Sequence, residues 1–191
     1  MRRIARAYSL AALVALAAGV AGLAPLTAAP PAPAPSSYAG FEAREVKALS
    51  AERRAGLLAG AGLGYAMAAE LNGHAGPKHV LELAEPLALS PEQRTGVQSS
   101  FARMHVESVR LGAALVAVEE QLDRRFAHRH LDAALLAELT AEIARIEGEL
   151  RYTHLAAHLE TDALLTAEQR ARYTELRGYD RPGAHAGEHA H

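Results

Sequence analysis

Cysteine and tryptophan are absent from this 191-residue chain, and its aromatic residues are few: six Tyr and three Phe. Without cysteine there is no disulfide framework, thiolate zinc site, Cys nucleophile or CxxC redox centre. A transition-metal site must then be built from imidazole and carboxylate, with thioether as the only sulfur ligand left. An excess of positive charge is missing too. The formal net charge is -2 and no basic cluster goes beyond local Arg pairs, so nucleic acid is not an expected partner. Alternating β-branched and aromatic runs are lacking after Ser50, where Ala, Leu, Glu and Arg dominate. That composition predicts an all-α fold of a length that suits one domain.

What is plentiful is histidine. There are ten, none before position 74, and they are the lead to a function.

Arg2, Arg3 and Arg6 precede a charge-free apolar stretch from about Leu10 to Leu26, followed by Thr27-Ala28-Ala29. This is the charged, apolar, small-residue order of a secretory signal, so residues 1–29 are read as a signal peptide and the protein as periplasmic. Cleavage fits after Ala29 or within Ala32 to Ala34. Without cleavage, roughly 17 apolar residues come near the lower limit for a membrane anchor, and only then is a membrane a partner. Residues 30–49, Pro/Ala/Ser-rich at their start, read as an extended linker. Removal of the first 29 residues leaves 17 Lys+Arg against 22 Asp+Glu, a net of -5.

The helical domain is expected over residues 50–179, with a flexible tail at 180–191. Ser50 can cap a first helix running to about Leu71, whose glycines at 56, 60, 62 and 64 each cost about 1 kcal/mol relative to Ala or else permit close helix packing. Gly76-Pro77 starts a short segment from Lys78 to Glu85, stopped by Pro86. Ser90-Pro91-Glu92-Gln93 is a capping box with Pro at the first helical position. From there Val97, Phe101, Met104, Ser108, Leu111, Leu115, Val118 and Leu122 repeat at alternating spacings of four and three, a heptad seam. Ala127 to Leu131 reads as a turn. Asp132 can cap a returning helix with a second seam through Leu136, Leu139, Ile143, Ile146, Leu150, Thr153, Ala157 and Leu164. Thr166-Ala167-Glu168-Gln169 repeats the capping box and opens a last helix to about Gly178. The prediction is a long antiparallel helical hairpin with shorter flanking helices, four to five in all.

The two starts, Leu89-Ser90-Pro91-Glu92-Gln93-Arg94 and Leu165-Thr166-Ala167-Glu168-Gln169-Arg170, agree at four of six positions and pair Ser with Thr at a fifth. With export and the hairpin order, they resemble the periplasmic Spy/CpxP superfamily, whose members carry this Leu-Thr-x-x-Gln motif twice. The likeness covers roughly Lys78 to Tyr179. The segment from His79 to Pro86 and the later His154-Leu155-Ala156-Ala157-His158 look more like the CnrX/ZraP-like heavy-metal sensor and resistance branch. There the resemblance implies ligands from a His on the short helix, a second His one turn later, a carboxylate on the long helix and a His-x3-Met on the returning one. His79 matches the first. Leu83 stands at the second position, the carboxylate position falls near Gln98, and His-x3-Met becomes His154-x3-His158. The resemblance also implies a homodimer, with an envelope sensor, an anti-sigma protein or unfolded clients as further partners.

Independently of any family, His154 and His158 lie four apart on one helix face, where two imidazoles can share a divalent ion. A hairpin turning near residue 129 would set Met104 and His105 opposite His154, and Ser100 and Phe101 opposite His158. His79 would fold back near the same open end. His154, His158, His79 and His105 are therefore the candidate ligands for Zn, Cu or Ni; the competing reading makes all four surface or seam-flanking residues of Ala-rich helices. His128 and His130, at the hairpin tip about 36 Å from His154 along the helix, read as solvated. His185, His189 and His191 in the tail are weaker candidates.

No nucleophile, base and stabiliser occur together, so an enzyme is not expected. Two functions follow: a periplasmic metal-binding protein of heavy-metal resistance or envelope-stress sensing, or an ATP-independent chaperone of the Spy/CpxP type. For the second, Arg103, Arg110, Arg124, Arg125 and Arg129 with seam-edge leucines would supply a client-holding face.

Overall fold

The computed structural model describes residues 36–179; the predicted signal peptide and the His-rich tail lie outside them. Among the described residues the regular structure is all helix, without strands. A short 3-10 turn at Phe41–Ala43 precedes six α-helices: α1 (Ala51–Leu58), α2 (Met67–Glu70), α3 (Pro77–Glu82), α4 (Pro91–Ala127), α5 (Ala133–Leu164) and α6 (Ala167–Leu176). The antiparallel pair α4 and α5 is the predicted hairpin, and Asp132 caps α5 by accepting from Leu135 N at 2.8 Å. None of these helices is long and apolar enough to cross a membrane.

The helix expected over 50–71 is two helices, which raises the count from five to six. Gly60 and Gly64 adopt positive φ of 64° and 79°, a conformation that ends α1 and turns the chain before α2. Close packing does occur, but through a different glycine. A Cβ on Gly112 of α4 would collide with the backbone carbonyl of Leu57, so the end of α1 lies directly on α4 at that point. The linker also ends earlier than residue 49, because Val46 and Leu49 are buried in the core beside Leu57, Leu111 and Leu115.

A third helix start shares the pattern that the other two display. Leu49-Ser50-Ala51-Glu52-Arg53-Arg54 has Ser50 accepting from Arg53 N at 3.1 Å, as Ser90 accepts from Gln93 N and Thr166 from Gln169 N, both at 3.2 Å. Only Ser90 and Thr166 complete the reciprocal box, because Arg53 stands where the others have Gln. Arg53 instead pairs with Glu147 of α5 at 2.9 Å.

Two apolar clusters hold the helices. The first joins α1, α4 and α5 through Leu57, Leu111, Leu115, Ile146 and Leu150; each such side chain contributes about 1.5–3 kcal/mol when taken out of water. The second joins α3, α4 and α6 through Val80, Val97, Leu165 and Tyr173. Between them the interior is polar: Ser100, Ser108, His154, His158 and Thr161 are all buried. Along α5 the inward stripe therefore passes through His154, His158 and Thr161, with Thr153 and Leu164 of the predicted seam less buried than they are.

Candidate functional site

Beside this polar belt is a cavity of about 720 Å³. Its walls come from the glycine-rich turn between α1 and α2, from α2, from the start of α3, and from the open-end halves of α4 and α5. All four histidines of the predicted hairpin site line it: His79 from α3, His105 from α4, His154 and His158 from α5. Met104, Met67 and Phe101 line it as well, and the surface is mostly apolar, as in ordinary ligand sites.

The four imidazoles are in four different situations. His158 is buried, and its Nδ1 lies 2.9 Å from the carbonyl oxygen of His74. A carbonyl only accepts, so Nδ1 is the donor of this pair, and in a neutral ring Nε2 is the nitrogen that can accept or ligate. His79, partly exposed, has Nδ1 2.8 Å from Glu82 Oε2. The Glu82 carboxyl is held below its usual range by hydrogen bonds from Lys78 and His79; an ionised carboxylate only accepts, so here too Nδ1 is the donor, and in a neutral ring Nε2 is the ligating nitrogen.

His154 is spent differently. Its Nε2 bonds Ser108 Oγ at 3.2 Å inside the core, and its ring stacks on Tyr65 with centroids 5.7 Å apart. Burial, with His158 nearby, pushes its pKa down and favours the neutral ring. His105 is exposed and stacks on Phe101 of the preceding turn, centroids 5.7 Å apart.

The register differs from the one expected. Ser108, not Met104 or His105, meets His154. The connection runs from the end of α4 at Ala127 to the start of α5 at Ala133, so its midpoint is His130 and not residue 129, which moves facing residues two positions toward the tip; the His154–Ser108 pair itself is centred on residue 131. The ring of His158 packs on Gly76 at the entrance to α3, where a Cβ would lie 2.5 Å from Cε1 and Nε2. Among the described residues, no three of His, Asp or Glu are gathered so as to hold a metal ion.

Glu70, at the end of α2, is the functional neighbour that sequence reasoning missed. Its Oε1 accepts from Tyr173 Oη at 2.6 Å, Tyr179 Oη at 2.9 Å and Arg177 Nε at 3.2 Å. Its Oε2 is buried with no hydrogen bond and lies 3.8 Å from His158 Nδ1. Burial and this carboxylate raise the pKa of the Tyr173 phenol. Nothing local in the sequence marks Glu70, since its partners lie more than 80 residues away.

At the tip of the hairpin, His128 and His130 are exposed, with rings 6.3 Å apart. Comparison with family models, with curated proteins and with solved structures finds no match to this chain.

Proposed function

We propose that the chain is an exported metal-binding protein serving heavy-metal resistance or envelope-stress sensing, and that its ligand is Zn, Cu or Ni bound in the histidine-lined cavity. One observation carries this reading. His79 and His158 line the same cavity, and each has Nδ1 engaged by a carbonyl or carboxylate oxygen, which leaves Nε2 as the nitrogen a metal would take from the neutral ring. Metal-binding imidazoles are ordinarily held in this way, with an outer oxygen fixing tautomer and ring orientation. Neutral imidazole suits late first-row divalent ions over Mg or Ca. His105 and the Met104 thioether, in the same lining, are the further ligands within this reading. His154 lines the same cavity with its Nε2 engaged by Ser108. Gathering a third ligand on loading would change the shape of the cavity wall, the kind of change that a partner can read: a second copy of the chain, an envelope sensor or an anti-sigma protein.

Calorimetric titration of the chain with Zn, Cu and Ni, repeated on His79→Ala/His158→Ala, tests the reading. The expected result is saturable binding weakened at least tenfold in the variant. Equal isotherms for the two proteins would overturn it.

The chaperone reading draws on the exposed apolar side chains Val106, Tyr152 and Leu159. It is the weaker one. Arg103 and Arg110, counted on for a basic face, are paired with Glu160 and Glu107. Suppression of client aggregation that is indifferent to chelator would favour it.

A further inference from the structure

The closed end of the hairpin has a chemistry of its own, unrelated to the cavity. Positions 124–130 hold Arg124, Arg125, Arg129, His128 and His130 with no acid among them. Nearby acids are already engaged: Glu120 with Arg54 and Arg124, Asp123 with Lys47, and Asp132 as the cap of α5. Among the described residues, neither Arg125 nor Arg129 has a side-chain hydrogen bond or ion pair. What this end offers is two exposed arginines, Arg125 and Arg129, that no acid neutralises by a contact.

The same end is apolar at its centre. Phe126 is 58% exposed, and it shares a shallow depression with Leu131 and Leu136, rimmed by Arg125 and Arg129 and, on the α5 side, by the capping Asp132. An exposed phenylalanine ringed by unpaired arginines suits a layered partner, anionic at its surface and apolar beneath. The start of the folded unit approaches this end as well. Lys47 meets Asp123 at 3.5 Å and Arg54 meets Glu120 at 3.5 Å, which places the segment after Tyr38 alongside the tip half of α4.

We infer that the hairpin tip docks on an anionic lipid surface, with Arg125 and Arg129 on headgroups and Phe126 entering the interface. Each arginine near such a surface is worth about fivefold in affinity, from roughly 1 kcal/mol per basic residue.

The absence of tryptophan makes the contact directly readable. In full-length Phe126→Trp, the introduced indole is the chain's only one. On addition of phosphatidylglycerol vesicles its emission is expected to shift to the blue and its quenching by iodide to fall. Phosphatidylcholine vesicles should leave both unchanged. In the Phe126→Trp background, Arg125→Gln/Arg129→Gln is expected to raise the phosphatidylglycerol concentration needed for half the shift by about thirtyfold. Both arginines are exposed, so the helices should remain intact, checked by circular dichroism. An emission that stays water-like with anionic vesicles overturns the inference, even where vesicles capture the protein through its N-terminal segment. So does a shift of equal size with phosphatidylcholine, or one produced by soluble polyglutamate and not by vesicles.

Discussion

The side-chain amides of Gln93 and Gln169 hydrogen-bond each other in both directions: Gln93 Nε2 donates to Gln169 Oε1 at 2.8 Å, and Gln169 Nε2 donates to Gln93 Oε1 at 3.0 Å. Each Oε1 also accepts from its own cap backbone, Ser90 N at 3.0 Å and Thr166 N at 2.9 Å. Each Nε2 donates a second time, Gln93 to Leu164 O at 2.8 Å and Gln169 to Leu87 O at 3.1 Å. Both amides are thus saturated, two donors and two acceptor positions each. The repeated motif is more than a pair of helix starts, because its glutamines lock the beginning of α4 to the beginning of α6.

Breaking either half strands the other. Gln93→Ala and Gln169→Ala are each expected to cost about 1–3 kcal/mol, because paired polar groups in a part-buried site lose their partners. The double variant is expected to cost little more than one single, which urea unfolding in a double-mutant cycle would measure. Strict additivity would refute the shared lock.

Two helical glycines make opposite predictions. Gly112→Ala sets a methyl against the Leu57 carbonyl, which must move, and a loss of about 1–3 kcal/mol follows. Gly148, within α5, has nothing near a built Cβ; Gly148→Ala should stabilise by about 0.5–1 kcal/mol through helix propensity. Thermal unfolding of the two variants gives the sign of each.

Gly76→Ala bears on the cavity alone. The backbone there has φ -87°, so alanine meets no conformational penalty, yet its methyl would displace the His158 ring. Metal titration should weaken about tenfold or more, as with loss of an outer-sphere contact, with helix content unchanged. Full retention of affinity would mean that His158 is not a ligand.

His154 makes stability depend on pH in a definite direction. Burial lowers its folded pKa below the ordinary 6.5, so the unfolded chain takes up its proton first. Its contribution is complete above pH 6.5 and is lost as pH falls toward the folded value. Unfolding free energy should therefore decline between pH 7 and pH 5, above the range where most carboxylates titrate. His154→Gln, which can still reach Ser108, should flatten that decline. An unchanged slope would count against the buried neutral ring.

How much of this was legible in the chain differs between elements. The hairpin, its caps at Ser90, Asp132 and Thr166, and the short Pro77 helix were readable because capping and heptad spacing are local signals. The same signals implied that four particular histidines would share one end, and all four line one cavity. The break of the first helix was not readable. Gly60 and Gly64 were visible as costs, but whether a glycine bends the chain or lets helices approach is settled by the neighbour it meets, and the approach was made by Gly112. The exact facing of His154 depended on a shift of two residues in the centre of pairing, from 129 to 131, finer than turn signals resolve. Ser50 was read as a cap, yet Arg53 in the glutamine position hid the likeness of the first helix start to the other two.

Glu70 gives the cavity a latch. α2 has four residues, too few to persist as a helix unaided, and its end is fastened by Tyr173, Arg177 and Tyr179. A wall built from the first half of the domain is therefore buckled shut by its last described residues. Shortening the chain ahead of Arg177 would release two of the three fastenings and leave the buried carboxylate without its arginine, with Tyr173 as its remaining hydrogen-bond donor, which is costly. The cavity would then loosen before either apolar cluster did, so what the site can retain is governed from the carboxyl-terminal end.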